Sequence, residues 1–83
     1  MGQINAGETK MSWNYRVMSL DGGKSYEIHE VYYDEDGKPK MYTMNASRPF
    51  GESTRELRQD LMWMMKALDM PTLTLQDFPG LEE

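Results

Sequence analysis

The residues able to do chemistry in this chain are few, and most stand in one stretch: Glu27-Ile28-His29-Glu30, then Asp34-Glu35-Asp36-Gly37. A histidine flanked by carboxylates is suited to general acid–base catalysis or to holding a metal ion. His29 is the single histidine, and there is no cysteine. A metal site would have to recruit Glu27 and Asp34, yet alternation along a strand puts Asp34 on the face opposite to His29 and Glu27. Serine–histidine–acid catalysis needs a serine beside the histidine, and no nucleophile-elbow motif is present. The Asp34–Asp36 run has the acidic density of a calcium loop. Counted from Asp34, however, Pro39 and Asn45 stand where such a loop needs glycine and a bidentate glutamate. The run reads as a turn. No catalytic, cofactor-binding or metal-ligating residue is assigned, and the chain reads as a non-enzymatic protein without a cofactor.

Glu30 falls on the predicted core face, between Tyr15 and Thr43, where a carboxylate has to be hydrogen-bonded or paired. Two readings stand. Tyrosine and threonine hydroxyls satisfy it at the rim of the core, or it anchors Arg48 or Arg55 and fixes the loop before the helix. Arg16 and His29, expected to face each other across a strand pair, complete a set of structural polar anchors with Glu30.

The elements that position these groups are three strands and one helix. Trp13, Tyr15 and Val17 alternate with Asn14, Arg16 and Met18, the period of a half-buried strand over residues 12–20. Asp21-Gly22-Gly23-Lys24 supplies a hairpin turn. A second strand, SYEIHEVYYD, covers residues 25–34, Asp36-Gly37 turns the chain again, and a third strand covers residues 40–46 with Pro39 at its entrance. Two-residue turns set Trp13 opposite Tyr32, Val17 opposite Ile28 and Tyr32 opposite Met41. One face then gathers Trp13, Tyr15, Val17, Tyr26, Ile28, Tyr32 and Met41, the better core candidate. The other gathers Asn14, Arg16, Met18, Glu27, His29, Val31, Tyr33, Tyr42 and Met44.

Ser53-Thr54-Arg55-Glu56 reads as a capping box that opens a helix, with Ser53 accepting from the Glu56 N–H and the Glu56 carboxylate reaching back. Leu57, Leu61, Met64, Met65 and Leu68 recur at helical spacing, and Pro71 ends the helix near Asp69 or Met70. At about 15 residues the helix is long enough to cover a three-stranded sheet. The tail holds Leu73, Leu75 and Phe78 at near-alternate positions, as a short extended segment along the sheet edge or across the helix. The fold class is α+β: a three-stranded antiparallel meander followed by one amphipathic helix and a short extended tail. Residues 1–11 read as a polar leader, 12–78 as a single domain and 79–83 as an acidic tail.

Met62 and Trp63 point away from the Leu57–Leu68 stripe. Either the tail folds back over them or they form a dimer or partner surface. The second sheet face, with Val31, Tyr33 and Tyr42, is too apolar to be left wet, and one helix covers only one face. The interaction residues expected are therefore Met62, Trp63, Tyr33, Tyr42 and Val31.

Composition bounds the rest. The chain has 83 residues, 39% hydrophobic and 28% charged, which is ordinary for one globular domain. Fourteen acidic residues against nine basic give a net charge of −5. That balance argues against a duplex nucleic-acid binder or a polybasic membrane-surface protein. No apolar run approaches a membrane span or a signal peptide, and the lack of cysteine fits a reducing, cytoplasmic setting.

The runs WNYRV, YEIHEVYYDEDGKP and GESTRELRQDLMWMMKALDMP resemble a family of small uncharacterised bacterial proteins. Its members share a tryptophan-led first strand, an HEVYYD-type second strand and a helix of the form G-E-x-x-x-E-L-x-x-D-L-x-x-M. The resemblance covers residues 12–73 and implies a fold without an activity. A looser similarity is to the N-terminal domain of HicB-like antitoxins, through Gly51, Glu52, Ser53 and Glu56. The proline-rich P-D-x-P-G-C stretch and the DNA-binding appendage of that family are absent, so it stands as an analogy of fold.

Two functions follow as expectations. The first is a small protein-interaction module, homodimeric or docking on a protein partner. The second is an acidic, antitoxin-like or phage-encoded inhibitor of a basic nucleic-acid enzyme, using Glu27, Asp34, Glu35, Asp36, Asp77, Glu82 and Glu83 as a complementary field.

Overall fold

The computed structural model describes residues 12–81; the expected leader and the last two glutamates lie outside the described residues. Three antiparallel strands, β1 (Ser12–Met18), β2 (Glu27–Tyr33) and β3 (Pro39–Tyr42), form a sheet in the order β1-β2-β3, and one helix, α1 (Thr54–Ala67), follows. The pairs Trp13–Tyr32, Val17–Ile28, Arg16–His29 and Tyr32–Met41 fall as expected, but the β2–β3 turn is not the expected two-residue one. Gly37 N–H donates to Asp34 O (3.0 Å) and Asp34 N–H to Lys38 O (2.9 Å), and an irregularity between Tyr32 and Tyr33 sets Tyr33 opposite Pro39.

The strands are shorter than their sequence pattern. Between β1 and β2 the Asp21 carboxylate accepts the backbone N–H of Lys24 (3.1 Å) and Ser25 (3.0 Å) and the Ser25 hydroxyl (2.6 Å). These bonds compete with the ladder and open the turn into a loop, centred on Gly22 and Gly23 at φ +76° and +90°. The loop stays symmetric about the expected axis, so the register is unchanged. Tyr26 belongs to this loop and is exposed, not part of the core. After β3, Thr43 N–H still donates to Glu30 O (3.0 Å) and Ser47 N–H to Ile28 O (2.7 Å), with 44–46 looped out between them. Met44 therefore leaves the second sheet face for solvent, at 89% exposure.

Ser53 caps α1, its hydroxyl accepting from Glu56 N–H at 3.1 Å. The reciprocal bond goes one residue further back than a capping box places it, from Glu52 N–H to the Glu56 carboxylate (3.0 Å). Gly51 is backed against this first turn. A β-carbon there would lie 2.7 Å from the Glu56 carbonyl carbon and 2.8 Å from Leu57 Cα, with Leu57 N closer still.

The helix does not bury its whole apolar stripe. Met64 and Ala67 are buried and Trp63 half-buried against Tyr15 and Val17, with Trp13 and Ile28 alongside. Of the five stripe residues only Met64 is buried, so α1 is rotated by roughly a quarter turn from the face its hydrophobicity indicates. The cause is polar. Asp60 Oδ1 accepts the Tyr15 hydroxyl at 2.7 Å and Oδ2 accepts Phe50 N–H at 2.9 Å. Those bonds turn the 60/63/64/67 side toward β1, where the small Ala67 permits close approach. Trp63, expected to face outward, therefore packs on the core. The helix runs along β1 and leaves much of its sheet face uncovered, including Met41 at 44% exposure. One helix is about as wide as two strands.

The second sheet face is closed by the chain itself. Beyond Pro71, Leu73 adds to the edge of β1, with Ser19 N–H donating to Leu73 O (3.0 Å) and Leu73 N–H to Val17 O (2.9 Å). Two 3-10 turns, Leu75–Asp77 and Pro79–Leu81, replace the expected extended tail. Thr74 starts the first: its hydroxyl accepts from Gln76 N–H, and its own N–H donates to the Asp77 carboxylate at 2.8 Å. Phe78 is thereby laid over Met18 and Val31, in edge contact with Tyr42 at 5.1 Å between centroids. This overturns the expectation of an open second face. Val31 is fully buried, and Tyr33 and Tyr42 are half-buried against the cluster of Met18, Val31, Leu73 and Phe78.

Candidate interaction surface

The residues with chemical potential are placed in the frame of the fold. His29 is fully buried on the second sheet face. Its Nδ1 lies 2.8 Å from Thr43 O and therefore donates, its Nε2 lies 3.2 Å from the Glu27 carboxylate, and its ring meets Tyr42 edge-on at 5.5 Å. Both nitrogens are occupied and the ring is sealed under protein. Arg16 spans two elements, donating from Nη1 to the Tyr33 hydroxyl (2.9 Å) and from Nη2 to Pro71 O (2.8 Å). It clips the segment after the helix onto β1, which delivers Leu73 to the sheet edge. Glu30 accepts the Tyr32 hydroxyl at 2.7 Å, and its own N–H donates to Thr43 Oγ1 at 3.3 Å. Of the two readings of Glu30, the hydroxyl-satisfied rim position is the one found. The three anchors are not one site, because Glu30 lies on the helix side of the sheet and Arg16 and His29 on the tail side.

The tyrosine hydroxyls feel these carboxylates. Burial, the hydrogen bond to Asp60 and the negative charges of Asp60 and Glu30 push the Tyr15 phenol far above its ordinary value of 10. Tyr32 is pushed up to about 12, chiefly by its hydrogen bond to Glu30. Asp21 is held below the ordinary carboxylate value by the Ser25 hydroxyl and N–H, and Asp34 by the backbone N–H of Lys38 and Asp36. Each perturbed group is engaged with its own chain and none faces a cleft as a free acid or base.

The clefts agree with that. One, about 620 Å³, lies between the β1–β2 loop and the tail, against Ser19, Leu20, Gly22, Gly23, Tyr26 and Gln76, and no carboxylate, histidine, lysine or arginine lines it. Another, about 450 Å³, sits at the start of α1 beside Trp63; the carboxylates of Glu56 and Asp60 on its wall are bonded to backbone N–H groups, and that of Glu52 is exposed at its rim with no second acid–base group beside it that is free of such bonds. Among the described residues no group of three or more histidine, cysteine, aspartate or glutamate side chains is placed to hold a metal ion. No helix there is long and apolar enough to cross a membrane.

What remains unsatisfied is apolar. The rotation of α1 leaves Leu61 at 43%, Met65 at 65% and Leu68 at 65% exposure, spaced i, i+4, i+7 on one side of the helix, with Met62 at 52% beside them. The patch continues into a groove of about 370 Å³ between the helix and residues 46–49, walled by Ile28, Ala46 and Pro49. Arg55, Arg58 and Lys66 are exposed on the helix flank. Comparison with protein-family models, with curated proteins and with solved structures finds no match to this chain.

Proposed function

We propose that this chain is a small non-enzymatic protein-interaction module that binds through the outward side of α1. One observation carries the reading: Leu61, Met65 and Leu68 recur at helical spacing and stay exposed, while the other side of α1 is packed on Tyr15 and Val17 of β1. Helical anchors at i, i+4 and i+7 are the pattern by which a helix enters a groove or pairs with another helix. Covering them yields on the order of 1 kcal/mol for each side chain before the costs of association. Methionine adapts to partner shape, and the flanking arginines and lysine supply the polar rim of an interface. The site combines Met62, expected to be outward, with residues expected to be core. The inhibitor reading draws less support, because Asp34 and Asp77 already accept hydrogen bonds from their own chain.

A photoactivatable side chain at Met65 tests the proposal in cells that carry the chain at its native level. Met65 is expected to crosslink to a protein, while the same probe at the more exposed Met44 does not. Absence of any protein adduct at Met65, or equal adducts at both positions, overturns it.

A further inference from the structure

Resting on that reading, we infer that the occupant of the outer face of α1 is a second copy of this chain, packed with its helix antiparallel about a two-fold axis. The argument is the order of charge along the strip. Arg58 stands at its N-terminal end, the apolar residues Leu61, Met62, Met65 and Leu68 fill its middle, and Asp69 closes its C-terminal end. Asp69 belongs to the turn that continues the helix, its N–H donating to Lys66 O at 3.1 Å. Arg58 and Asp69 are both exposed, and neither has an ion-pair partner within 4.0 Å among the described residues, where His29–Glu27 is the one such contact.

A surface that pairs with itself across a two-fold axis must match residue i to residue j and j to i. Antiparallel packing centred between Met62 and Met65 does this. Met62 of one copy meets Met65 of the other, and each Arg58 meets the Asp69 of the second copy. The separation of Arg58 and Asp69 along the axis, about 16 Å, is the same read from either end. A parallel pairing would set Arg58 against Arg58 and Asp69 against Asp69, which is repulsive. The strip is thus complementary to itself in one orientation only. Four apolar side chains on one helix bury less than the roughly 800 Å² per partner of a standard interface, so the dimer is a weak one.

Sedimentation of the full chain from about 10 µM to about 1 mM is the test. The wild type is expected to pass from monomer to dimer. Arg58→Asp and Asp69→Arg each turn two attractive contacts into repulsive ones and weaken the dimer by about tenfold or more. The combined variant restores the contacts with their signs exchanged and returns to within about threefold of wild type. Circular dichroism confirms that each variant is folded. A strict monomer at the highest concentration overturns the inference, as do reversals without effect or a combined variant that stays weak. If the chain is monomeric while the Met65 probe captures a different protein, the second copy is refuted and the binding surface stands. If that probe captures nothing and the chain is also a strict monomer at the highest concentration, both fail.

Discussion

Phe78 holds the tail against the sheet, and Phe78→Ala should remove a large part of the molecule's stability. The ring is 1% exposed, touches Tyr42 at 5.1 Å between centroids and covers Met18 and Val31, both at 0% exposure. Truncating a phenylalanine so placed costs about 3–5 kcal/mol, from lost transfer energy and the cavity left behind. A domain of this size holds only about 4–10 kcal/mol in total. The variant is expected to lose roughly half its stability and to melt roughly 15 °C lower. Urea unfolding followed by circular dichroism reads the first quantity. Hydrogen exchange at the amides of Ser19 and Leu73, which pair β1 with the tail, reads whether the tail loosens. Leu75→Ala is the control, since Leu75 is in the same tail but 39% exposed, and should cost about 1 kcal/mol or less. If Phe78→Ala cost no more than Leu75→Ala, the tail would not be closing the second sheet face.

Gly51→Ala drives a β-carbon to 2.8 Å from Leu57 Cα, where backbone cannot yield, and should cost about 2–3 kcal/mol in chemical denaturation; Gly80→Ala, into open space, should stay within about 0.5 kcal/mol. Asp60→Asn removes the charge that sets the helix rotation. It should cost about 1–2 kcal/mol and bring the Tyr15 phenol down toward its ordinary value in a spectrophotometric titration. Tyr32 keeps its proton in the folded chain up to about 12, whereas the unfolded chain releases it near 10. This contribution is therefore complete below pH 10 and is lost as pH rises toward 12. Urea midpoints across that window should fall less steeply for Glu30→Gln, which removes the charge behind the shift.

The β1–β2 register was legible because Gly22-Gly23 marks the midpoint of its turn, whereas the β2–β3 turn closes between Asp34 and Lys38 and an irregularity at Tyr32/Tyr33 restores the expected Tyr32–Met41 pair. The strand ends were not legible, since the Asp21 carboxylate draws backbone donors out of the ladder. Ser53, Gly51 and Pro71 announced the helix, but its rotation turned on Asp60, which in sequence is one polar residue on a helix. A signal was present: the Tyr15 hydroxyl, expected in the core, needs an acceptor, and an aspartate midway along α1 is a fitting one. The tail was misread for a similar reason. Leu73 and Phe78 were visible as apolar, but Thr74-Leu75-Gln76-Asp77 carries the spacing of a cap, which breaks an extended segment into turns and aims Phe78 at the sheet. The exposed side of the helix was half legible. Met62 was expected outside, whereas Leu61, Met65 and Leu68 were assigned to the core because the hydrophobic pattern alone does not say how much of a wide stripe one edge strand can cover.

The nine methionines make oxidation footprinting the most direct test of the account, that the tail covers the second sheet face and that the outer side of α1 is left uncovered. Brief exposure of dilute protein to peroxide, read by peptide mass spectrometry, should modify Met44, Met62 and Met65 rapidly and Met18 and Met64 slowly, following exposures of 89%, 52% and 65% against 0% and 5%. Met18 reacting as fast as Met44, or Met65 as slowly as Met64, would contradict it.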